Sequence, residues 1–292
     1  MEFNKVTLDT VSIMNEFLQY KRDRLCDCTV GGTVMWREFF ETEYAIEEEA
    51  LFFKVKYLDG STAFTFPLAA DYKKALMNLK NYCRQNQIPM KMCSVSKENL
   101  EIIKELFDVE KEETNRDWFD YLYKAEDFRT FAGRKYSGQR NHINAFRKNY
   151  PDYTYEEIHD GNIGQVKQFM EKFTYYKDKE GNTADEEIRK TKEVLDYYHQ
   201  YGMKGIVLYA GGNIVGITIG EMIKDTLFVH IEKADIAYRG SYQVLSNQFA
   251  KCNLEAMYIN REEDVGDMGL RTSKLSYHPV ELLEKYNVEI RD

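Results

Sequence analysis

The stretch Gly205–Ala234, GIVLYAGGNIVGITIGEMIKDTLFVHIEKA, decides the fold, because it holds three apolar runs separated by two short turns. Gly211-Gly212-Asn213 separates the first two runs, and Lys224-Asp225 precedes the third. Runs of this length that are rich in Ile and Val and bounded by Gly, Asn and Asp are typical of β-strands. The stretch therefore predicts an antiparallel meander with strands at Gly205–Ala210, Ile214–Met222 and Thr226–Ala234.

The elements on either side of the meander complete one repeating unit. Before it, the sequence predicts a strand at Tyr155–His159 and two helices, with a capping box at Thr183 and Glu186 opening the second. Val166, Phe169, Met170 and Phe173 form the apolar stripe of the first of these helices. After the meander, we expect a helix at Tyr242–Lys251, a strand at Ala256–Asn260, a helix at Met268–Leu275 and a strand at Tyr286–Ile290.

The first half of the chain repeats this order. An extended Phe3–Leu8 precedes a helix with Val11, Met14 and Leu18 on one face, and Trp36–Phe40 suggests a second short helix. Asp59-Gly60 joins two apolar runs as a hairpin, and Asp71 and Ser96 are helix caps on either side of a short strand at Lys91–Ser94.

A repeated order of strand, two helices, meander, helix, strand and helix predicts an α/β (α+β) protein of two tandem N-acetyltransferase-like (GNAT-like) domains. Each domain would be a mixed, mostly antiparallel sheet flanked by helices. We expect the first domain at residues 1–113, a basic connecting segment at 114–153 that packs across both domains, and the second domain at 154–292. The connecting segment is expected to hold two helices, one marked by Trp118, Tyr121, Leu122 and Ala125 and the other by Ile143, Phe146 and Arg147.

Composition limits the class of protein. The 292 residues carry a formal net charge of −9, which disfavours broad binding to nucleic acid or anionic membranes unless positive charge is gathered in one place. The five cysteines form no C-x-x-C pair, so neither a zinc site nor a disulfide framework is expected. With no signal peptide and no spanning apolar run, we expect a cytoplasmic protein. We also expect a monomer.

Positive charge is gathered at Arg129–Lys148, RTFAGRKYSGQRNHINAFRK, which contains no acidic residue. Arg and Lys beside glycines suit phosphate groups, because exposed backbone amides add to their charge. We assign substrate binding to Arg134, Lys135, Arg140 and Asn141. A solvated helix face, paired with acids elsewhere, is an equally good interpretation of the composition.

Two further segments place polar side chains at strand ends. The third strand of the meander holds His230 and Glu232, which the period of two puts on one face, where a carboxylate or imidazole can accept a proton. Asn260 to Leu275 begins where the neighbouring strand ends, and Arg271 and Lys274 share a helix face. Structural ion pairs are the alternative interpretation of both. From these segments we take Glu232, His230 and Lys274 as catalytic candidates, and Asn260, Arg261, Glu263 and Arg271 as substrate-binding candidates.

The turn that binds coenzyme A in this fold is missing. The pattern [RQ]-x-x-G-x-[GA] is reduced to Arg239-Gly240, because Tyr242 and Val244 stand where small residues are expected. The corresponding segment of the first half, Ala69–Lys74, contains no glycine. We therefore expect no cofactor, and acetyl-CoA is disfavoured as a donor.

The sequence resembles the soluble branch of the phosphatidylglycerol lysyltransferase C-terminal-domain family over nearly its whole length. Three segments carry the resemblance: GRKYSGQRNHINAFRKNYP, HIEKAD and NREEDVGDMGLRTSKLSYHP. The resemblance implies tandem N-acetyltransferase-like domains, and an aminoacyl-tRNA donor whose aminoacyl group passes to a lipid or peptide acceptor. The lipid-modifying relatives carry a membrane-spanning region before this domain. The sequence contains no apolar run long enough to span a membrane, so a lipid acceptor is less expected.

The sequence thus favours an acyl- or aminoacyltransferase with aminoacyl-tRNA as donor and a small molecule, a peptide or a lipid headgroup as acceptor. Arg134, Lys135 and Arg140 would hold donor phosphates, Glu232 with His230 would accept the nucleophile's proton, and Arg271 or Lys274 would stabilise the oxyanion. Two alternatives are a coenzyme-A-dependent N-acyltransferase with an atypical turn, and a noncatalytic protein that binds RNA or phosphometabolites.

Overall fold

The computed structural model of this protein contains two mixed β-sheets, each flanked by helices. It describes residues 1–57, 60–175 and 183–291, and within these it describes the backbone alone at 173–175 and 183–187. Asp59 of the expected hairpin therefore lies outside the described residues. The side chains of Phe173 and of the expected capping box, Thr183 and Glu186, lie outside them as well.

Elements of the first half follow the predicted order of strand, two helices, meander, helix, strand and helix. They are β1 (Asn4–Lys5), α1 (Thr10–Phe17), α2 (Val30–Trp36), β2 (Glu43–Glu47), β3 (Ala50–Lys56), β4 (Thr62–Phe64), β5 (Leu68–Ala69), α3 (Tyr72–Gln85), β6 (Met90–Ser96), α4 (Lys97–Leu106) and β7 (Val109–Thr114).

Elements of the connecting segment and the second half repeat that order after one extra strand and two helices. They are β8 (Asp120–Lys124), α5 (Ala125–Thr130), α6 (Ser137–Asn149), β9 (Thr154–Glu157), α7 (Ile163–Tyr175), α8 (Thr183–Asp196), β10 (Lys204–Ala210), β11 (Asn213–Ile223), β12 (Thr226–Ala234), α9 (Ser241–Cys252), β13 (Tyr258–Asn260), α10 (Met268–Leu275), β14 (Glu281–Leu283) and β15 (Lys285–Ile290).

The chain divides into two compact units whose bounds interleave along the sequence. The first unit comprises residues 1–121, 262–272 and 281–292, and the second comprises 122–261 and 273–280. The predicted domains at 1–113 and 154–292 are consecutive segments, and that division stays a prediction.

In the second unit, the meander forms as predicted, with β10, β11 and β12 antiparallel to one another. From β8 the strand order is β8-β13-β12-β11-β10-β9, with β12 and β13 parallel. The pairing of β11 with β12 is irregular between Ile219 and Gly220. A Cβ atom on Gly220 would lie 2.0 Å from the carbonyl oxygen of Phe228, so this irregularity requires glycine.

In the first unit, the strand order is β1-β2-β3-β4-β6-β15-β7, with β5 paired to β3. β4 and β6 are parallel at Phe64 and Met92, as β12 and β13 are in the other sheet. The two mixed sheets confirm the tandem N-acetyltransferase-like architecture. The order also places β15, the last strand described, inside the first sheet between β6 and β7.

Helix caps explain why the predicted helices begin where they do. The Asp71 side chain accepts a hydrogen bond from the backbone N–H of Lys74 at the start of α3, and Ser96 accepts one from Asn99 at the start of α4. Leu76, Leu79 and Cys83 of α3 are buried in the core of the first sheet, as the apolar spacing predicts.

Two local predictions were wrong. The segment from Trp118 to Ala125 was expected to be a helix, but it contains β8. Tyr121, Leu122 and Tyr123 are each 2% exposed or less, so this strand is buried on both faces. The short helix expected at Trp36–Phe40 lies earlier, at α2, where Thr29 caps the backbone N–H of Gly32.

Candidate active site

An ion pair between Glu232 and Arg261 lies where two parallel strands part in the second unit. β12 and β13 are paired from Thr226 to Phe228, after which β13 ends and β12 continues to Ala234. Arg261 directly follows β13, and its Nη2 atom lies 2.6 Å from Oε1 of Glu232. The two side chains are 11% and 10% exposed, so their charges are largely withdrawn from water.

Aromatic rings surround the Arg261 guanidinium. Its Cζ atom lies 4.8 Å from the ring centre of Tyr277 and 5.7 Å from that of Phe128, and these two rings are stacked. Burial alone would lower the pKa of Arg261, but the charge of Glu232 holds it above its usual value. The Nη1 atom is buried and has no hydrogen-bond partner among the described residues.

Lys274, a catalytic candidate, lies beside this ion pair. Its Nζ atom donates a hydrogen bond to the main-chain oxygen of Arg261 at 2.6 Å, and the residue is 7% exposed. The hydroxyl of Tyr123 donates to the main-chain oxygen of Lys274 at 2.8 Å, which fixes the last turn of α10. Glu232, Arg261 and Lys274 are therefore neighbours within one unit.

His230 lies on the same strand as Glu232 and has a different partner. Its Nε2 atom is 2.7 Å from Oε1 of Glu221, and both side chains are 5% exposed or less. His230 lies where the pairing of β11 with β12 is irregular, so the simple alternation of faces assumed from the sequence does not hold across it. Asn260 at the end of β13 is fully buried.

The basic segment divides into structural and exposed side chains. Arg140 donates from Nη1 to the main-chain oxygens of Phe131 and Gly133, so it stabilises the turn that precedes α6. Arg134 and Asn141 are exposed and have no hydrogen bond or ion pair among the described residues. Lys135 is half exposed and lies 3.7 Å from Asp127.

Three contacts place this basic segment against the residues that follow Lys274. Gln139 donates to the main-chain oxygen of Ser276 at 2.7 Å, and the Tyr136 hydroxyl donates to that of Tyr277 at 3.2 Å. The Nε2 atom of His278 lies 3.1 Å from the main-chain oxygen of Lys135. The ring of Tyr277 therefore lies between the basic segment and Arg261.

The two other candidates from the segment Asn260 to Leu275 belong to the first unit. Arg271 binds Asp264 at 2.6 Å and Asp117 at 2.5 Å, and the Tyr121 hydroxyl also donates to Asp264. Burial would raise the pKa of Asp264, but its hydrogen bond from Arg271 holds it well below the usual value. Arg271 is thus engaged in fixing the loop that leads into α10.

Glu263 belongs to a buried charge cluster in the first unit that the sequence did not reveal. At its centre is Lys285, whose Nζ atom lies 2.8 Å from Asp27, 2.8 Å from Asp120 and 3.1 Å from Glu263. The Cys26 Sγ atom lies 3.3 Å from the same ammonium. Four separate chain segments supply these residues, which is why no local pattern marks them.

Burial and the Lys285 charge shift the pKa values of this cluster in opposite directions. Burial raises the pKa of Asp120 to about 7 despite the nearby ammonium. Burial also raises the pKa of the Cys26 thiol well above its usual value. For Asp27 and Glu263, the Lys285 charge outweighs burial and lowers the pKa. Ligand atoms of Cys26, Asp27 and Asp120 lie within 4.8 Å of one another, which would suit a metal ion, but the Lys285 ammonium already lies among them.

The turn before α9, where this fold can bind coenzyme A, is packed against α6. Gly240 has a φ of +94°, and a Cβ atom there would lie 2.4 Å from the main-chain oxygen of His142. Ser241, the first residue of α9, is 2% exposed. Across the residues that the structure describes, no helix is both long and apolar enough to cross a membrane.

Known proteins are similar to this chain in sequence and in fold. The family model described as "Phosphatidylglycerol lysyltransferase, C-terminal" matches residues 21–289. A protein of Mycoplasmoides gallisepticum, MYCGA3080, is 28% identical over 197 residues, which cover 65% of this chain and 62% of that protein's length.

Two solved structures extend this similarity. A conserved protein from Bacteroides thetaiotaomicron is 30% identical, with a TM-score of 0.92 and full coverage of both chains. L-PGS from Bacillus licheniformis is 13% identical, with a TM-score of 0.65 over 96% of this chain and 92% of its own, and therefore shares the fold. Because the family model spans nearly the whole sequence, the chain belongs to the phosphatidylglycerol lysyltransferase C-terminal family.

Proposed function

We propose that this protein is an acyltransferase of the aminoacyltransferase type, which moves an aminoacyl group from aminoacyl-tRNA to an amine or hydroxyl acceptor. The observation that carries the proposal is the grouping of Glu232, Arg261 and Lys274 at the end of β13. Membership of a family named for lysyl transfer supports the same class of reaction.

The chemistry of such a transfer matches the groups present. The acceptor nitrogen or oxygen attacks the carbonyl carbon of the aminoacyl ester, and Glu232 takes the proton that the acceptor loses. The ammonium of Lys274 and the unpartnered Nη1 of Arg261 are hydrogen-bond donors for the oxyanion that develops. The ester C–O bond then breaks, and the ribose oxygen leaves as a hydroxyl with the proton that Glu232 had taken.

Packing around α9 supports tRNA rather than coenzyme A as the donor. A pyrophosphate bound at the turn before α9 needs free backbone amides, and Gly240 there lies against the main-chain oxygen of His142. The exposed Arg134 and half-exposed Lys135, in contrast, are open to a phosphate backbone. The surface between Arg134 and Lys148 is accordingly the proposed contact for the acceptor end of tRNA.

The acceptor belongs to a broader class than the family name states. A small molecule, a peptide or a lipid headgroup each offers an amine or hydroxyl that could reach a carboxylate at the end of β13. His230, held by Glu221 at 2.7 Å, would act in this proposal by positioning β12 rather than by taking the proton itself.

A transfer assay tests the proposal. Wild-type protein is incubated with tRNA charged with radiolabelled amino acids and with an acceptor panel of amines, dipeptides and phosphatidylglycerol vesicles. We expect release of label from tRNA into one acceptor class. Lys274→Ala and Glu232→Gln should each lower the rate by about 10²-fold or more, as expected for loss of oxyanion stabilisation or of a general base.

Lys73→Ala is the matched control, because Lys73 is an exposed lysine on α3. It should leave the rate unchanged. Full transfer rates in both site variants would contradict the assigned roles. Saturable binding of acetyl-CoA would instead favour a coenzyme-A-dependent N-acyltransferase, and tight tRNA binding without any turnover would favour a noncatalytic RNA-binding protein.

A further inference from the structure

Two tyrosine rings lie together at the C-terminal end of α6, in the second unit. Pro151 follows this helix, and the residue before a proline avoids helical backbone angles, so α6 ends before Tyr150. The next turn returns Tyr153 to Tyr150 through a backbone hydrogen bond of 3.2 Å. The ring centre of Phe146 lies 5.0 Å from that of Tyr150 and 5.5 Å from that of Tyr153. The fully buried Phe146 thus anchors both tyrosines.

A third ring comes from the turn before α9. Gly240 in this turn lies so close to α6 that a Cβ atom would be 2.4 Å from the main-chain oxygen of His142. The same turn brings Tyr238 to the end of α6, where its ring centre lies 5.0 Å from that of Tyr150. Tyr150, Tyr153 and Tyr238 are each only partly buried, and Ile236 of the same turn is 86% exposed. The three rings form a tyrosine surface that is open to solvent.

Four exposed cations adjoin the tyrosine surface and have no ion pair among the described residues. They are Arg147 and Lys148 in the last turn of α6, Arg239 directly after Tyr238, and Lys251 in the last turn of α9. Burial and the nearby charge of Arg147 together lower the pKa of Lys251. These two cations, which come from different helices, are therefore close enough to repel each other.

Local charge is positive at this end of the second unit, although the whole chain has a net charge of −9. The acids nearest to the tyrosine surface in sequence are Asp152 and Asp235, and the Asp235 carboxylate accepts a backbone N–H of its own turn at 2.9 Å. By contrast, Lys104 of the first unit lies 2.8 Å from a glutamate. An anion bound here would relieve the repulsion between Arg147 and Lys251.

Partly exposed rings beside unpaired cations favour a single-stranded nucleic acid as the partner. The bases of a single strand stack on aromatic side chains, while arginine and lysine contact the phosphates between them. A duplex keeps its bases paired and stacked inside, so it would use the cations and leave the rings without a partner. The combination is therefore matched to unpaired bases rather than to negative charge alone.

We propose that the tyrosine surface stacks the bases of a single-stranded RNA segment and that the four cations beside it contact the phosphates of that segment. Assignment of this RNA to the 3′ end of aminoacyl-tRNA rests on the proposed function. Tyr238 lies six residues after Glu232, so their Cα atoms are at most about 22 Å apart. A short single strand that leads away from an ester at Glu232 can therefore reach the tyrosine surface.

Binding of RNA tests the proposal without any turnover. Fluorescence anisotropy compares a labelled single-stranded RNA composed of A and C with a blunt RNA duplex that has the same number of phosphates. We expect the single strand to bind at least about tenfold more tightly, because only its bases are free to stack on the rings.

Tyr150→Leu and Tyr238→Leu keep an apolar side chain for packing but remove a ring. Each should weaken binding of the single strand by about 5- to 100-fold, as loss of one base–aromatic stack predicts, and leave binding of the duplex within about twofold of wild type. Tyr150→Phe keeps the ring and should bind the single strand within about twofold of wild type. Thermal melts verify that each variant is folded.

Tyr197→Leu is the matched control for the loss of a ring. Tyr197 is also a partly buried tyrosine of the second unit, and its ring centre lies 5.8 Å from that of Tyr201, but it follows Asp196 rather than an unpaired cation. This variant should bind the single strand like wild type.

The cations are tested by salt dependence. Arg147→Ala should reduce the slope of log affinity against log salt by about 0.7, as loss of one phosphate contact on a single strand predicts. Lys73→Ala on α3 removes an exposed lysine from the first unit and should leave the slope unchanged. An equal change of slope in the two variants would contradict the role of Arg147.

Equal affinity for the single strand and the duplex, or unchanged binding of the single strand in Tyr150→Leu and Tyr238→Leu, would overturn the stacking role. The proposed function can fail separately. If the single strand binds as expected while no aminoacyl group is transferred from tRNA to any acceptor, the tyrosine surface stands and the transferase assignment is wrong. If transfer occurs while RNA binding does not depend on these rings, the transferase assignment stands and the tyrosine surface is wrong.

Discussion

The ammonium of Lys274 donates to the main-chain oxygen of Arg261 at 2.6 Å, so the last turn of α10 is tied to the residue that follows β13. The guanidinium of the same Arg261 binds Glu232. The proposed general base and the proposed oxyanion donor are therefore held through opposite ends of one arginine, its side chain and its backbone. Substitution of Arg261 should therefore disturb the positions of Glu232 and Lys274 as well as removing the charge of the arginine.

Arg261→Ala should lower the free energy of unfolding by about 3–5 kcal/mol, because it leaves the largely buried Glu232 carboxylate without its partner. Urea unfolding measures the change. Arg291→Ala is the control, since its pair with Asp108 is more than half exposed and should contribute about 0–1 kcal/mol. Adding Glu232→Gln to Arg261→Ala should recover part of the loss. If the double variant recovers none of the lost free energy of unfolding, packing of the aromatic rings against Arg261, rather than the ion pair, determines how much Arg261 stabilises the protein.

Asp120 should make stability depend on pH. Its pKa is raised by burial to about 7 in the folded protein, whereas an unfolded Asp titrates near 3.9. Between these values the folded state binds more protons than the unfolded state, so this group's contribution is fully present below about pH 4 and is lost as the pH rises through about 7. Unfolding midpoints measured from pH 4.5 to 8 should fall less steeply in Asp120→Asn than in wild type.

Asp108→Asn is the control for that slope, because Asp108 is exposed at the protein surface. Parallel slopes in wild type and Asp120→Asn would show that Asp120 stays ionised beside Lys285 throughout this range.

Lys285→Met should destabilise the first unit by about 3–5 kcal/mol, because carboxylates of Asp27, Asp120 and Glu263 would be left without their cation. Zn²⁺ should then restore part of the loss, since ligand atoms of Cys26, Asp27 and Asp120 lie within 4.8 Å of one another. Thermal melts with and without Zn²⁺ check both statements. A Zn²⁺ response equal to that of wild type would contradict the view that the ammonium occupies a cation site.

Gly220→Ala should strongly destabilise the meander, by about 3 kcal/mol or more, because the new Cβ atom would lie 2.0 Å from the Phe228 carbonyl oxygen. Gly138→Ala on α6 is the matched control, as no atom lies within 4 Å of its Cβ position. It should be neutral or add up to about 1 kcal/mol of helix stability. Similar unfolding free energies for the two variants would show that β11 and β12 can pair without the irregularity.

Arg134→Glu combined with Lys135→Glu should weaken tRNA binding and reduce the dependence of log affinity on log salt by about 1–2, as loss of two phosphate contacts requires. Lys73→Glu with Arg84→Glu removes two exposed cations from α3 and leaves the basic segment intact. Filter binding from 50 to 200 mM salt compares the pairs. If both double variants weaken binding equally, net charge rather than this surface determines RNA affinity.

The meander and the helices were predictable because their signals are local. β12 and α10 begin and end at the predicted residues, and Asp71 and Ser96 cap the predicted helices. β8 was not, because a short run buried on both faces has no alternation to distinguish it from a helix. The repeat of parallel pairing in both sheets followed from the repeated order of elements.

Within the candidate site, the sequence selected Glu232, Arg261 and Lys274 but gave them no partners. Pairing of Glu232 with Arg261 depends on where β12 and β13 part, and that is a property of the assembled sheet. The Lys285 cluster was missed for the same reason. The neighbours of its residues lie far away in sequence, and no single segment shows that these polar groups are buried.

The place of β15 has a consequence for how the protein is made. Val288 pairs with Met92 on one side and with Glu112 on the other, so the first sheet takes a strand from nearly two hundred residues further along. During synthesis the ribosome releases residues 1–121 long before that strand exists, and β6 and β7 must wait with unpaired edges. The first sheet to be synthesised is therefore completed only after residues 285–290 exist, so it closes late in the folding of the chain.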